Sequence, residues 1–203
     1  MSDPLQSLTE DSHFTYADYL EWEGPERYEI INGDAFMMAS PTVEHQAILT
    51  ELLVQFAAFL RGKPCKVFTA PLDVRLFPEK DRSDDTVVQP DILVVCDRAK
   101  LSKGSVDGPP DLVVEILSPS NTQKLMFLKF ESYLNAGVRE YWVLDPEEKK
   151  AQVHVLQEGR YISSAYKKDA VIPVSVLPPF SLDLKTLWEA LPETDMSDPV
   201  PEA

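Results

Sequence analysis

The sequence predicts an α/β domain in which a mixed sheet is flanked by helices, and three observations predict it. Two segments, 42–61 and 122–136, carry apolar residues at helical spacing. Several short runs rich in Val, Ile and Leu are bounded by turn residues, and one of them, Leu112–Leu117, is apolar on both faces, as a central strand is. Asn32-Gly33 and Glu158-Gly159 each sit between strand-like runs, where a tight hairpin turn needs φ > 0. At 203 residues the chain suits one ordinary domain with a sizeable core.

The elements follow in order. Tyr16 to Trp22 reads as a short helix stopped by Pro25, and residues 28–38, YEIINGDAFMM, as a β-hairpin. From about Thr42 to Arg61, Ile48, Leu52, Leu53, Phe56 and Leu60 recur on one helical face, with Thr42 or Ser40 as cap and Pro64 beyond the end. Three strand-like runs come next: Lys66–Phe68 continuing through Asp73–Leu76, then Val87–Val95, then Asp111–Leu117. Loops at 78–85 and 97–110 separate them. A second long helix spans Thr122–Ala136, with Ser120 or Asn121 as cap candidates and Gly137 at the position that favours a left-handed residue. A strand at Glu140–Leu144 and a hairpin pairing 151–156 with 161–166 complete the pattern, a short apolar run follows at Phe180–Leu182, and one helical turn is expected near Leu187–Leu191. The organisation expected is an acidic N-terminal segment with a short helix (1–26), one domain (27–182), and an acidic tail, 183–203, rich in Asp, Glu and Pro and expected to be disordered.

The net charge of −15 argues against binding of nucleic acid, since phosphate calls for cations. Its distribution softens the objection. Residues 1–26 hold seven acids and no Lys or Arg, and 183–203 hold six acids and one Lys, so 27–182 is left with a net of −3. No apolar run approaches the roughly 18 residues of a membrane span, and no signal-like N-terminus is present, so a cytoplasmic protein without membrane contact is expected. Cys65 and Cys96 are too few for a disulfide framework and lack CxxC spacing; two reduced thiols near the core are expected.

Glu115 carries the most information about chemistry. It lies within Leu112-Val113-Val114-Glu115-Ile116-Leu117, where an ionised carboxylate costs several kcal/mol unless it is paired, protonated or bound to metal. A structural salt bridge would satisfy it equally well. Asp91 tips the choice, because Gln89-Pro90-Asp91 opens the neighbouring apolar run, and two acids on adjacent strands can surround a hard divalent cation with oxygen. A cation is also needed to offset the charge of a phosphoryl transition state, and Lys124 and Lys129 on the following helix are the candidates. Lys129 falls at the border of that helix's buried face. Such a lysine commonly snorkels to the surface, but here a buried acid on the preceding strand gives it a target. Lys124 lies nearer the helix start and is the weaker choice. Glu29 in the first hairpin and His45 on the apolar side of the first long helix are second-tier candidates to border the site. His13 and His154 have no partners at zinc-ligand spacing, and GxGxxG, P-loop and GxSxG patterns are absent.

The segments YEIINGDAFMM, HQAI, APLDVRL, QPDILVVCD, GPPDLVVEILSPSN, the K-x-x-x-Y of Lys129 and Tyr133, and AGVREYWVLDP occur in an order that resembles the Uma-type restriction-endonuclease family of the PD-(D/E)XK nuclease superfamily, over about residues 16–165. The resemblance implies a restriction-endonuclease-like αβββαβ core with an N-terminal β-hairpin and a C-terminal hairpin extension. It also implies Mg²⁺- or Mn²⁺-dependent hydrolysis of DNA phosphodiester bonds. Asp91 then stands for the PD aspartate and Glu115 for the acidic residue of (D/E)XK. Metal would be held by these two and the backbone carbonyl of Ile116. The in-strand lysine would fall at Leu117 and is missing, and Lys129 on the following helix takes its place. Glu29 and His45 match the family's hairpin glutamate and helix-opening histidine. The family usually carries an Asp four residues before the helical lysine, where this chain has Leu125. By analogy the protein would act on DNA, as a homodimer. The rival expectation is a catalytically weak or inactive nuclease-fold module that binds DNA or a protein partner, and a third is a small-molecule hydrolase using the same metal site.

Overall fold

Two prolines decide how the strands are distributed. The computed structural model describes residues 13–192. In it, the run expected from Lys66 to Leu76 breaks at Pro71 into β3 (Lys66–Thr69) and β4 (Asp73–Arg75), and the run 87–95 breaks at Pro90 into β5 (Val87–Val88) and β6 (Ile92–Val95). Proline has no N–H to continue a ladder. At each break the chain passes between two sheets, so the single sheet expected from sequence is replaced by a five-stranded and a six-stranded one.

The five-stranded sheet has the order β2-β1-β5-β4-β7. Here β1 (Tyr28–Ile31) and β2 (Asp34–Met37) form the expected hairpin, with Asn32 at φ 53° and Gly33 at φ 83° in its turn. A Cβ at Gly33 would also collide with the His13 ring at 2.2 Å. Strand β7 (Ser105–Asp107) lies in the segment read as loop, where a 3-10 turn at Arg98–Lys100 precedes it. The six-stranded sheet runs β11-β10-β9-β8-β6-β3, with β8 (Leu112–Ile116) and β9 (Glu140–Asp145) parallel and the hairpin β10 (Lys150–Gln157) and β11 (Arg160–Tyr166) extending it. With α2 (Val43–Leu60) and α3 (Gln123–Ala136), the series α2, β3, β6, β8, α3, β9 makes the αβββαβ core.

Strand alternation divides the interior in two. On β8, Leu112, Val114 and Ile116 join α2 residues Ile48, Leu52 and Phe56 in one core, while Val113 joins Tyr133 of α3 in the other. The short helix α1 (Tyr16–Tyr19) ends sooner than Trp22. The segment from 183 on, expected to be disordered, begins with ordered structure: β12 (Val171–Pro173) pairs with β13 (Ser181–Asp183), and α4 (Leu184–Glu189) buries Leu184, Leu187 and Trp188 in the α2-side core. Three apolar residues in five positions outweigh the acidic composition there. The rest of that tail, 193–203, and most of the N-terminal segment lie outside the described residues.

The cysteines are corrected too. Cys65 and Cys96 form a disulfide. The reason is register: β3 and β6 pair Lys66 with Val95, so the next positions outward face each other, with Cα atoms 3.9 Å apart. Sequence separation hides this, because no spacing rule reports a cross-strand neighbour.

Candidate active site

Strand geometry brings the two central carboxylates together. Glu115 points to the α3 side of β8, the same side as Val113. Ile92 faces Val114 and Leu93 faces Val113 across the β6–β8 ladder, so one step further sets Asp91 opposite Glu115. The strand break at Pro90 leaves Asp91 free to turn its carboxylate onto the backbone, where the Ile116 N–H donates to Oδ2 at 2.7 Å.

Each helix delivers one side chain. Thr42 caps α2 and accepts the His45 N–H at 3.2 Å, which fixes His45 in the first turn. Its Nε2 lies 3.1 Å from Asp91 Oδ1. The cap of α3 is Thr122 rather than Ser120 or Asn121; Asn121 instead accepts the Ser118 N–H at 2.6 Å. The helix closes on Gly137 in the left-handed conformation, φ 84°. Between these ends Lys129 is buried rather than snorkelling. Its Nζ donates to Glu115 Oε1 at 3.0 Å and Oε2 at 3.1 Å, and reaches Glu29 Oε2 at 2.9 Å. Lys124 is exposed.

Two residues to which the sequence assigned no role complete the cluster. The Tyr133 hydroxyl donates to Glu115 Oε1 at 2.6 Å. Tyr133 stands one helical turn after Lys129, and that i, i+4 spacing was the available signal. The Gln89 N–H donates to Glu29 Oε1 at 2.8 Å, and its side-chain amide donates to Asp73 at 2.9 Å and to the Tyr19 hydroxyl at 3.1 Å. Nothing in the sequence marked Gln89. Asp111, just before β8, accepts the Cys96 N–H and the Arg139 guanidinium and serves the fold.

The cluster opens on a cleft of about 280 Å³, whose rim includes Arg27, Ser118, Ser120, Asn121 and Leu125. Two buried polar atoms without a hydrogen-bond partner among the described residues, His45 Nδ1 and Gln89 Oε1, belong to residues lining it. Charge in the cleft is unevenly matched. Burial pushes the Glu115 carboxyl up to about 7, Lys129 pulls it back, and the negative charges of Glu29 and Asp91 add to the rise. Burial lowers the affinity of Lys129 for its proton, but Glu115 and Glu29 overcome this and hold it above that of an ordinary lysine. Burial and the Glu115 charge likewise keep the Tyr133 hydroxyl protonated. One lysine cannot compensate two carboxylates, and the shortfall falls on Glu115.

That excess of carboxylate oxygen is what a hard divalent cation fits. Among the described residues no three His, Cys, Asp or Glu side chains gather as a complete metal cage. The groups that could contribute oxygen to a cation here are the carboxylates of Asp91 and Glu115, set opposite each other across the β6–β8 ladder, and backbone carbonyl oxygen beside them.

Comparison with known proteins gives the family and the fold. The model of the Uma2 family, described as "Putative restriction endonuclease", matches residues 16–185. An uncharacterized protein of Synechocystis sp. strain PCC 6803 is 26% identical over 129 residues, which is 63% of this chain and 65% of that protein, so the match spans less than two thirds of the relative's length. The crystal structure of a "putative nuclease belonging to DUF820" from Anabaena variabilis superposes with a TM-score of 0.71 at 24% identity, covering 87% of this chain and 98% of the other, a likeness of fold. Among the described residues no helix is long and apolar enough to cross a membrane.

Proposed function

The chain belongs to the Uma2 family, and from that premise we propose that it hydrolyses DNA phosphodiester bonds with the help of Mg²⁺ or Mn²⁺. The observation that supports this best is the convergence of Asp91, Glu115 and Lys129, from two adjacent strands and the following helix, on one cleft. Asp91, Glu115 and the Ile116 carbonyl would hold the cation, which when bound supplies Lewis-acid polarisation of the scissile phosphate.

The roles of the protein groups follow from their protonation and their partners. Lys129 is held protonated by its carboxylate partners, so it serves as a cation beside the phosphoryl oxygens and orients the attacking water through its N–H groups; it is not a base. Tyr133 fixes the Glu115 carboxylate by donating to Oε1, and His45 with the Ile116 N–H fixes that of Asp91. Arg27 at the rim offers a second cation to a neighbouring backbone phosphate.

Single-stranded, duplex and branched DNA incubated with the protein and Mn²⁺ test the proposal. Cleavage should appear in at least one substrate and fall at least about a hundredfold in Asp91→Ala and Glu115→Ala, both of which should remain folded by circular dichroism. Equal cleavage by wild type and variants would sink the assignment. Wild-type protein that binds DNA without cutting any substrate would leave the non-catalytic module in its place.

A further inference from the structure

Lys129 Nζ sits on both oxygens of Glu115, the carboxylate that the proposed function gives to the cation. Oε1 also accepts from Tyr133, so a divalent ion that takes both oxygens displaces the ammonium group from at least one, and the two cations repel each other at that distance. Lys129, buried, then needs another acceptor, because an ammonium group stripped of acceptors there is costly. Glu29 resolves the conflict. Its Oε2 already lies 2.9 Å from Nζ, while its Oε1 is occupied by the Gln89 N–H, which holds the carboxylate in place from a neighbouring strand.

We infer that Glu29 is the positioning residue for Lys129, receiving the lysine from Glu115 as a divalent cation takes up Glu115. The metal-free contact to Glu115 fills the buried carboxylate, and Glu29 keeps the lysine charged, paired and next to the cleft once that contact is given up. It thereby does from β1 what an acid four residues before the lysine would do from α3, where this chain carries Leu125. Geometry favours the strand partner. Glu29 is buried, with one oxygen on Lys129 and the other on the Gln89 N–H, whereas position 125 lies in the first turn of α3, which begins at Gln123.

The inference rests on the metal reading of the site, and Mn²⁺ binding by calorimetry separates the two. Full-length wild type, Asp91→Ala, Glu29→Gln, Lys129→Met and the double variant Glu29→Gln/Lys129→Met are compared. Asp91→Ala should abolish binding. Glu29→Gln should weaken binding about tenfold, because the lysine then has Glu115 alone and competes for it, and Lys129→Met should tighten binding several-fold. In the Lys129→Met background, Glu29→Gln should cost less than about threefold, the residue of lost negative charge once the competitor is gone. An equal cost with and without Lys129 overturns the hand-over while leaving the metal site standing. Wild type that binds no Mn²⁺, or binds it regardless of Asp91, overturns both. A measurement on the unmutated protein guards against variants that fail to fold. When Mg²⁺ is titrated in, the side-chain carboxyl resonances of Glu29 and Glu115 should shift together, and movement of Glu115 alone counts against the hand-over.

Discussion

Arg75 and Lys129 are both buried cations with buried carboxylate partners, yet they are built in opposite ways. The Arg75 guanidinium meets Asp84 through two parallel bonds, Nε to Oδ2 at 2.9 Å and a very short one from Nη2 to Oδ1. Its remaining N–H groups reach the Glu79 carbonyl at 2.7 Å and Asp107 at 3.4 Å, and its plane covers the Tyr16 ring at 4.7 Å. Asp84 in turn accepts the Glu79 N–H at 3.2 Å. Four of the five guanidinium N–H groups have an acceptor, and the pair opens on no cavity described above. At Lys129 one cation faces two carboxylates with a third across the ladder, and the cluster is exposed to a cleft. Arg75 also meets a second carboxylate, but Asp107 is a third exposed, so solvent screens the surplus charge there. A buried ion pair available for chemistry keeps a surplus of a single sign and a way in.

The contrast can be broken most sharply by removing each cation. Arg75→Met leaves Asp84 buried without a counter-charge and should cost about 3–5 kcal/mol of stability in urea unfolding. Lys129→Met should cost clearly less, because Glu115, with its pKa already raised to about 7, escapes the penalty by taking up a proton. The same variant should lose about a hundredfold in cleavage. Equal destabilisation by the two substitutions would mean the cleft pair is structural after all.

A pH titration sharpens the comparison at intermediate size. The Glu115 carboxyl is raised from its ordinary 4.5 to about 7, so between those values the folded protein holds more protons than the unfolded chain. Without metal, the contribution of this group to stability is therefore present below about 4.5 and lost as pH rises to about 7. Metal binding should run the other way, with Mn²⁺ affinity rising as pH climbs towards about 7 and the proton leaves. Calorimetry with and without Mn²⁺ across this range checks both signs, and a flat metal-free profile would count against the burial argument.

The smallest effect expected is at Leu125. Leu125→Asp restores an acid one helical turn before Lys129, a pairing worth about 0.2–0.5 kcal/mol on a helix. With Glu29 already in contact, cleavage should change by no more than about twofold. A large gain would show that Glu29 does not fill the role.

Much of this was legible in the sequence where local rules act alone. Helical spacing located α2 and α3 within a residue or two, Asn32-Gly33 fixed the first hairpin, and an acid inside an apolar strand pointed to Glu115. Reading failed where pairing between distant segments decides. Pro71 and Pro90 sit in runs of good strand formers, and only the sheet shows that they divert the chain. The Cys65–Cys96 bond, the Gln89 contact to Glu29 and the hold of Tyr133 on Glu115 depend on register or helix placement, which composition does not encode. In the tail, the helical turn expected near Leu187–Leu191 starts earlier, as α4, because Leu184, Leu187 and Trp188 are buried together despite the acidic residues around them.

Strand β6 has a consequence for how this protein tolerates change. Only four residues separate Asp91, held by the Ile116 N–H and His45, from Cys96, tied to Cys65 and bonded through its N–H to Asp111. Side chains along that strut can be exchanged for others of similar volume. Its length cannot change, since one residue more or fewer moves Asp91 by about 3.3 Å and turns it to the opposite face of the sheet. In a library of insertions and deletions, residues 92–95 should be the stretch where substitutions survive and indels do not.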